Sequence, residues 1–203
     1  MSNWFSYPLT LEGQTVDLIS LDEKYFQELI QLAKDKRIWE HYIYDGSQEV
    51  RFKEWLDFSM NERDKGNHFP FVIWHKEDQK IIGSTRFMDM QPKHKKLEIG
   101  TTWLIPEYWG TIVNLECKLL LLTYCFEKKG AVRVQLKTDE NNIRSRKAIE
   151  KIGGSFEGIL RNDMIRGNNT HRNSVMYSIL DNEWEAKKTH LMKLLQEKRK
   201  AHR

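Results

Sequence analysis

Two strand–turn–helix units stand back to back in the second half of the chain, and no other feature restricts the fold as strongly. The first begins with the apolar strand pattern of residues 97–104 and turns through Pro106, Glu107, Tyr108, Trp109, Gly110 and Thr111. It enters a helix carrying Leu115, Leu119, Leu120, Leu121, Leu122 and Phe126. Lys128-Lys129-Gly130 closes that helix, because cations in the last turn and a glycine just beyond are the expected stop. The second unit starts as a strand in which Val132, Val134 and Leu136 alternate with Arg133, Gln135 and Lys137. A polar turn then opens a short helix with Ala148, Ile149 and Ile152 on its apolar face, and Gly153 stands where a left-handed cap is wanted. A β-α-β path of this kind sets polar turns and helix N-termini along one edge, where α/β proteins bind ligands. The turn at 109–114 is a ready anion site, since first-turn N–H groups lack helical partners. Gly110 lets a ligand approach the backbone there.

The same residues resemble a family. Asn142, Ser145, Glu150, Lys151 and Gly153 fit Asn-x-x-Ser-x-x-x-x-Glu-Lys-x-Gly, which is similar to the acetyl-CoA-side motif of the GNAT superfamily of N-acetyltransferases. The similarity is to the RimJ/RimL-like branch, the ribosomal-protein-type N-acetyltransferases. Residues 109–118 read Trp-Gly-Thr-x-x-Asn-x-Glu-x-Lys and resemble the pyrophosphate loop of that branch. The common superfamily loop has a second glycine two residues after the first; here Ile112 takes that place. The resemblance implies a GNAT fold: α/β, a mixed, mostly antiparallel sheet, a central β-α-β acetyl-CoA site and flanking helices. It implies acetyl-CoA as co-substrate, with Trp109, Gly110, Thr111, Ile112, Val113 and Asn114 at the pyrophosphate. Asn114 is read either as a ligand contact or as a helix cap. Leu104 and Ile105 would offer backbone groups to the pantetheine arm and carbonyl, Asn142 would bond the arm, and Ser145 would lie near the thioester sulfur.

The remaining pattern is mixed α/β on its own terms. Residues 9–18 read as a first strand. Ser20 and Glu23 have capping-box spacing and start a helix to about Lys36. Residues 37–48 form an aromatic-rich connection with Trp39, Tyr42 and Tyr44, and a second helix covers about 49–64. Strands follow at 69–75, 80–90, 155–165 and 172–180, the last two joined by a Gly167-Asn168-Asn169 turn. Asp181 is placed to cap a helix through Trp184, Leu191, Leu194 and Leu195. The expected organisation is one acetyltransferase domain over 1–185 and a basic helical tail over 186–203.

The chain has 203 residues, 31% charged and 39% hydrophobic, which suits a soluble globular domain. No apolar run approaches the ~20 residues of a spanning helix, and residues 1–10 lack a secretory pattern. The expected location is therefore cytoplasmic, without a membrane partner. Cys117 and Cys125 lie on one helix ~12 Å apart by helical rise, beyond disulfide reach, and read as core residues. His41, His68, His75, His94 and His171 are scattered, so no metal is expected. Net charge is +4, and residues 187–203 carry seven Lys/Arg against one Glu, leaving the rest near −2. Such a tail binds RNA, membrane or an acidic partner, or docks with a solvated face; the docked reading is preferred, and nucleic acid is not the expected partner. Either a monomer or a homodimer is compatible with the sequence.

Amide formation from a thioester needs a neutral amine, a held carbonyl and a departing thiolate. At pH 7, deprotonating an α-amine costs ~1.4 kcal/mol and a lysine ~4.6 kcal/mol. One carboxylate suits the first better. Glu98 is the candidate base: Leu97 and Ile99 face one side of its strand and Glu98 the other, towards a partly apolar cleft that would raise its pKa. Its place just before the phosphate loop also matches where a GNAT base often sits. Ser145 is the second catalytic candidate, a hydroxyl donor to the thiolate. Trp39 and Tyr42 would shape the acceptor site, whereas Trp55 reads as core. The acceptor is expected to be an α-amine of a protein or peptide; an antibiotic, polyamine or other small amine is the alternative. The non-catalytic readings are an acyl-CoA-binding effector protein and an RNA- or ribosome-binding module.

Overall fold

A computed structural model describes residues 4–201. The chain first folds a hairpin, β1 (Thr10–Glu12) and β2 (Val16–Ser20), then α1 (Phe26–Leu32) and α2 (Glu49–Asp64). An antiparallel meander follows: β3 (Phe69–His75), β4 (Lys80–Gln91) and β5 (Lys96–Leu104). Next come α3 (Val113–Thr123), β6 (Arg133–Asp139), α4 (Ile143–Lys151), β7 (Ser155–Ile165), β8 (His171–Leu180) and α5 (Asp181–Ala201). The strands form one sheet in the order β1-β2-β3-β4-β5-β6-β8-β7. Every neighbouring pair is antiparallel except β5 and β6, which α3 connects as a β-α-β crossover.

That parallel pair is short. Lys96, Leu97 and Glu98 face Arg133, Val134 and Gln135, and pairing stops there although both strands continue. A bulge on β5 accompanies the parting: Arg86 and Ser84 of β4 oppose Gly100 and Trp103, and Thr101 takes φ 44°. An extra residue bends a strand and increases its local twist. Beyond Glu98 the sheet opens as a fork, and the open fork forms the floor of the molecule's large cleft.

Several sequence expectations need correction. The strand expected at 9–18 is two strands folded at Gly13, Gln14 and Thr15. The turn is held from a distance: the Glu116 carboxylate accepts from the backbone N–H of Gln14 (2.8 Å), Thr15 (2.8 Å) and Val16 (3.2 Å). A Cβ on Gly13 would stand 2.5 Å from the Val16 carbonyl oxygen, so only glycine fits. The helix expected from Ser20 to Lys36 is a 3₁₀ turn plus the seven residues of α1. Asp22 caps it, accepting from the Lys24 N–H, while Ser20 Oγ is occupied by the Leu9 backbone. Val132 lies outside β6 and is exposed, while β6 runs on to Asp139.

α5 crosses residue 185 without a break, and its Trp184, Leu191 and Leu195 are buried, so it docks on the domain beside α3. Arg199 pairs with Glu116 at 2.9 Å. Cys117 and Cys125 are buried free thiols. No helix among the described residues is long and apolar enough to cross a membrane, and no group of three or more His, Cys, Asp or Glu there is placed to hold a metal ion.

Candidate active site

The cleft encloses about 710 Å³ and joins two regions of different make. One is built on the β-α-β turns. Pro106 fixes a 3₁₀ turn after β5, Gly110 takes φ 74°, and α3 starts at Val113. A Cβ on Gly110 would meet no atom within 4 Å, so glycine is favoured there by backbone conformation and not by crowding from the protein. The backbone N–H groups of Gly110, Ile112, Asn114 and Leu115 donate to no acceptor among the described residues, as expected for the first turn of a helix. Thr111 Oγ1 takes the Val113 N–H and so serves as the local cap; Asn114 instead lines the cleft.

α4 adds the second turn. Asn142 is its N-cap, its Oδ1 accepting from the Ser145 N–H at 2.9 Å, and both residues line the cleft. The Arg144 guanidinium lies 3.8 Å from the Trp109 ring centre and joins the two turns. Lys147 and Lys151 follow on the same wall. Lys151 belongs to the acetyl-CoA-side motif; sequence reasoning missed Arg144 and Lys147, and it missed Lys198 of α5. The Lys198 ammonium donates to the carbonyls of Gly110 and Thr111. Burial and the facing Lys151 lower its pKa. Arg144, Lys147, Lys151 and Lys198 therefore converge beside unpaired helix N–H groups, an arrangement that fits a polyphosphate ligand such as CoA.

Four of the expected contacts do not line the cleft. Ile105 is buried, with its N–H bonded to the Ile82 carbonyl at 2.9 Å. Ile112 and Val113 turn towards the core, leaving only their backbones at the loop. Leu104 lines the cleft, but its carbonyl is held by Trp109 Nε1–H at 2.7 Å. Trp39 is the fourth: it is buried, its Nε1–H donates to the Ala33 carbonyl at 2.7 Å, and Gly46 packs directly on its ring.

The other region comprises α2, the 37–48 connection and the central strands. Tyr42 lines it and donates to the Thr102 carbonyl at 2.9 Å. Trp55, expected in the core, is half-buried and forms part of this wall, with the Arg86 guanidinium 4.0 Å from its ring centre. Lys118 is buried in the floor, hydrogen-bonded to Thr102 Oγ1 at 2.7 Å, and burial lowers its pKa to about 8. Burial and the charge of Arg86 lower His68 to about 4, so this imidazole is neutral at pH 7.

Glu98 occupies the fork itself, at the last β5–β6 pair. It is 5% exposed, and its Oε2 accepts from Gln135 Nε2 at 2.8 Å. Burial raises its pKa against the opposing effects of the Gln135 hydrogen bond and the Lys137 charge. It is the only Asp or Glu among the described residues lining the cleft. A buried carboxylate of raised basicity thus stands where the cation-lined turns meet the aromatic region.

With this geometry in place, the comparisons define the class. Residues 16–155 match the model of the acetyltransferase (GNAT) domain, and the chain belongs to that N-acetyltransferase family. It is 29% identical over 156 residues to the Bacillus subtilis protein named "Putative ribosomal N-acetyltransferase YdaF", covering 69% of this chain and 84% of that one. A GCN5-related N-acetyltransferase from Brucella melitensis superposes with a TM-score of 0.85 at 25% identity, over 94% of this chain and 86% of that one. Mycobacterium smegmatis RimJ, solved in complex with CoA-disulfide, shares the fold with a TM-score of 0.78 at 17% identity, over 93% and 95% of the two chains.

Proposed function

We propose that this enzyme transfers the acetyl group of acetyl-CoA to the α-amine of a protein or peptide, with Glu98 as general base. The observation that carries the proposal is the fork: one buried, basic carboxylate lies between a cation- and amide-lined turn and an aromatic wall. The N–H groups at 110–115, with Arg144, Lys147, Lys151 and Lys198, hold the phosphates of the co-substrate. Asn142 and Ser145 face its pantetheine end. Acetyl-CoA supplies an activated acetyl thioester. Glu98 takes a proton from the acceptor ammonium, directly or through one water, and the neutral nitrogen attacks the thioester carbonyl carbon. As the carbon–sulfur bond breaks, the nitrogen releases its second proton to the leaving thiolate or to water, and Ser145 donates a hydrogen bond to that thiolate. A thiol of pKa ~8.5 needs little more assistance to leave. The acid–base arithmetic for a single carboxylate favours an α-amine over a lysine side chain.

The test is mass spectrometry of a cell lysate treated with enzyme and isotopically labelled acetyl-CoA. Labelled protein N-termini are expected. Label confined to small molecules would replace the acceptor by a small amine, and no labelling would remove the transferase reading of the cleft.

A further inference from the structure

Arg86 is the largest of the fully buried side chains, at 1% exposure, and no Asp or Glu pairs with it among the described residues. Its Nη2 donates to Ser59 Oγ at 2.8 Å and its Nη1 to His68 Nδ1 at 3.3 Å. Ser59 is neutral, and so is His68 at pH 7. A guanidinium withdrawn from water without an anion is a costly arrangement, and native structures normally compensate such groups. Two of the buried polar atoms in this part of the cleft also have no hydrogen-bond partner: Arg86 Nε and Tyr44 Oη. Both residues line the cleft, on the side of Trp55 and away from the phosphate turns, and each perturbs the other's ionisation. An N–H donor and an O–H donor without acceptors suit a ligand that only accepts hydrogen bonds, such as a carboxylate.

We infer that Arg86 and Tyr44 form an anion-recognising subsite, so that the enzyme selects acceptor amines that carry a carboxylate. The inference rests on the proposed transfer to an amine. The carboxylate comes either from an acidic residue near a peptide N-terminus or from a free amino acid. Lys118 and Arg172 line the same cleft and favour the same sign of charge, while Glu98 is the acid, single among the described lining residues, that meets the amine.

The experiment compares isosteric acceptors at saturating acetyl-CoA: peptides with Asp against Asn, or Glu against Gln, at the second position, and free amino acids against their amides. In the wild type kcat/KM for the acid should exceed that for its amide by about tenfold or more. Arg86→Gln should bring the ratio close to one, with acetyl-CoA affinity as the check on folding. Tyr44→Phe, which keeps the ring, should lower it by about threefold. A wild-type ratio near one, or a ratio that neither variant changes, overturns the subsite. Should only the free amino acids react, the peptide acceptor fails while the subsite is still judged on the acid–amide pair. Should no amine react, succinate decides. A thermal shift in CoA-saturated wild type that Arg86→Gln abolishes supports the subsite, and its absence in the wild type overturns it.

Discussion

The two regions of the cleft do similar work with different materials. The region proposed to hold the co-substrate is built from backbone: a positive-φ glycine, a 3₁₀ turn and the first turns of α3 and α4. Side chains such as Lys198 only add charge to it. The region proposed for the acceptor is built from side chains that meet from α2, the 37–48 connection, β4 and β5. In the proposed reading, a backbone device recognises what every acetyl-CoA molecule shares, its phosphates. A side-chain device recognises what varies, and single substitutions can redirect it. Glu98 stands between the two and belongs to neither, since its position is set by the point at which β5 and β6 separate.

Substitutions should separate the regions. The largest effect is expected at their junction: Glu98→Gln should lower kcat by ~10²-fold or more at neutral pH while acetyl-CoA still binds. In the backbone-built region, Gly110→Asp introduces a negative charge and a Cβ at φ 74°. Calorimetry should show acetyl-CoA affinity weakened by roughly 30-fold or more, with stability changed by about 1 kcal/mol, since Asp tolerates the left-handed region better than most residues. The two tryptophans sharpen the contrast. Trp39→Ala should cost about 3–5 kcal/mol in denaturant unfolding, because it empties a packed site and orphans the Ala33 carbonyl. Trp55→Ala should cost markedly less and appear instead as a higher KM for the acceptor. Lys198→Ala should weaken acetyl-CoA binding by only about three- to tenfold, and the difference should shrink as salt rises. Equal losses at Gly110 and Lys198 would mean that charge, and not backbone, makes the co-substrate region.

The smallest effect concerns stability. Burial raises the Glu98 pKa, so this group favours the folded state only when protonated; that contribution is lost as pH rises through the folded pKa. At pH 7 the charged carboxylate is a net burden. Glu98→Gln should therefore raise stability by on the order of 1 kcal/mol at pH 7 and by less at pH 4. Thermal melts at the two pH values check the sign.

The difference between the regions also explains how much of the site was legible in the sequence. Gly110, Asn142, Ser145 and the helix stops are local signals, and each depends on neighbours a few residues away. Glu98 was legible as a polar residue between Leu97 and Ile99 on an apolar strand. Arg86 gave no such signal, because its meaning depends on Tyr44, Ser59 and His68, which come from other elements. Trp39 and Trp55 look alike in sequence, and only tertiary packing decides which is core and which is wall. Lys198 is one lysine in a basic run, and its reach to the Gly110 carbonyl depends on where α5 docks. The β1–β2 turn reads as continuous strand in the sequence because its restraint, the Glu116 carboxylate, lies about a hundred residues away.

The proposed role of Glu98 as the base at the fork is tested most directly by the pH dependence of the Glu98→Gln rate. With saturating acetyl-CoA, the wild-type rate should fall on the acid side through a pKa above the ordinary carboxylate range, since the base must be charged. The gap between wild type and Glu98→Gln should be widest near pH 7 and should close as pH approaches the amine's own pKa of ~8, where the acceptor supplies its own neutral form. Parallel profiles, with a loss that does not change with pH, would contradict the claim and leave Glu98 as a structural or positioning residue.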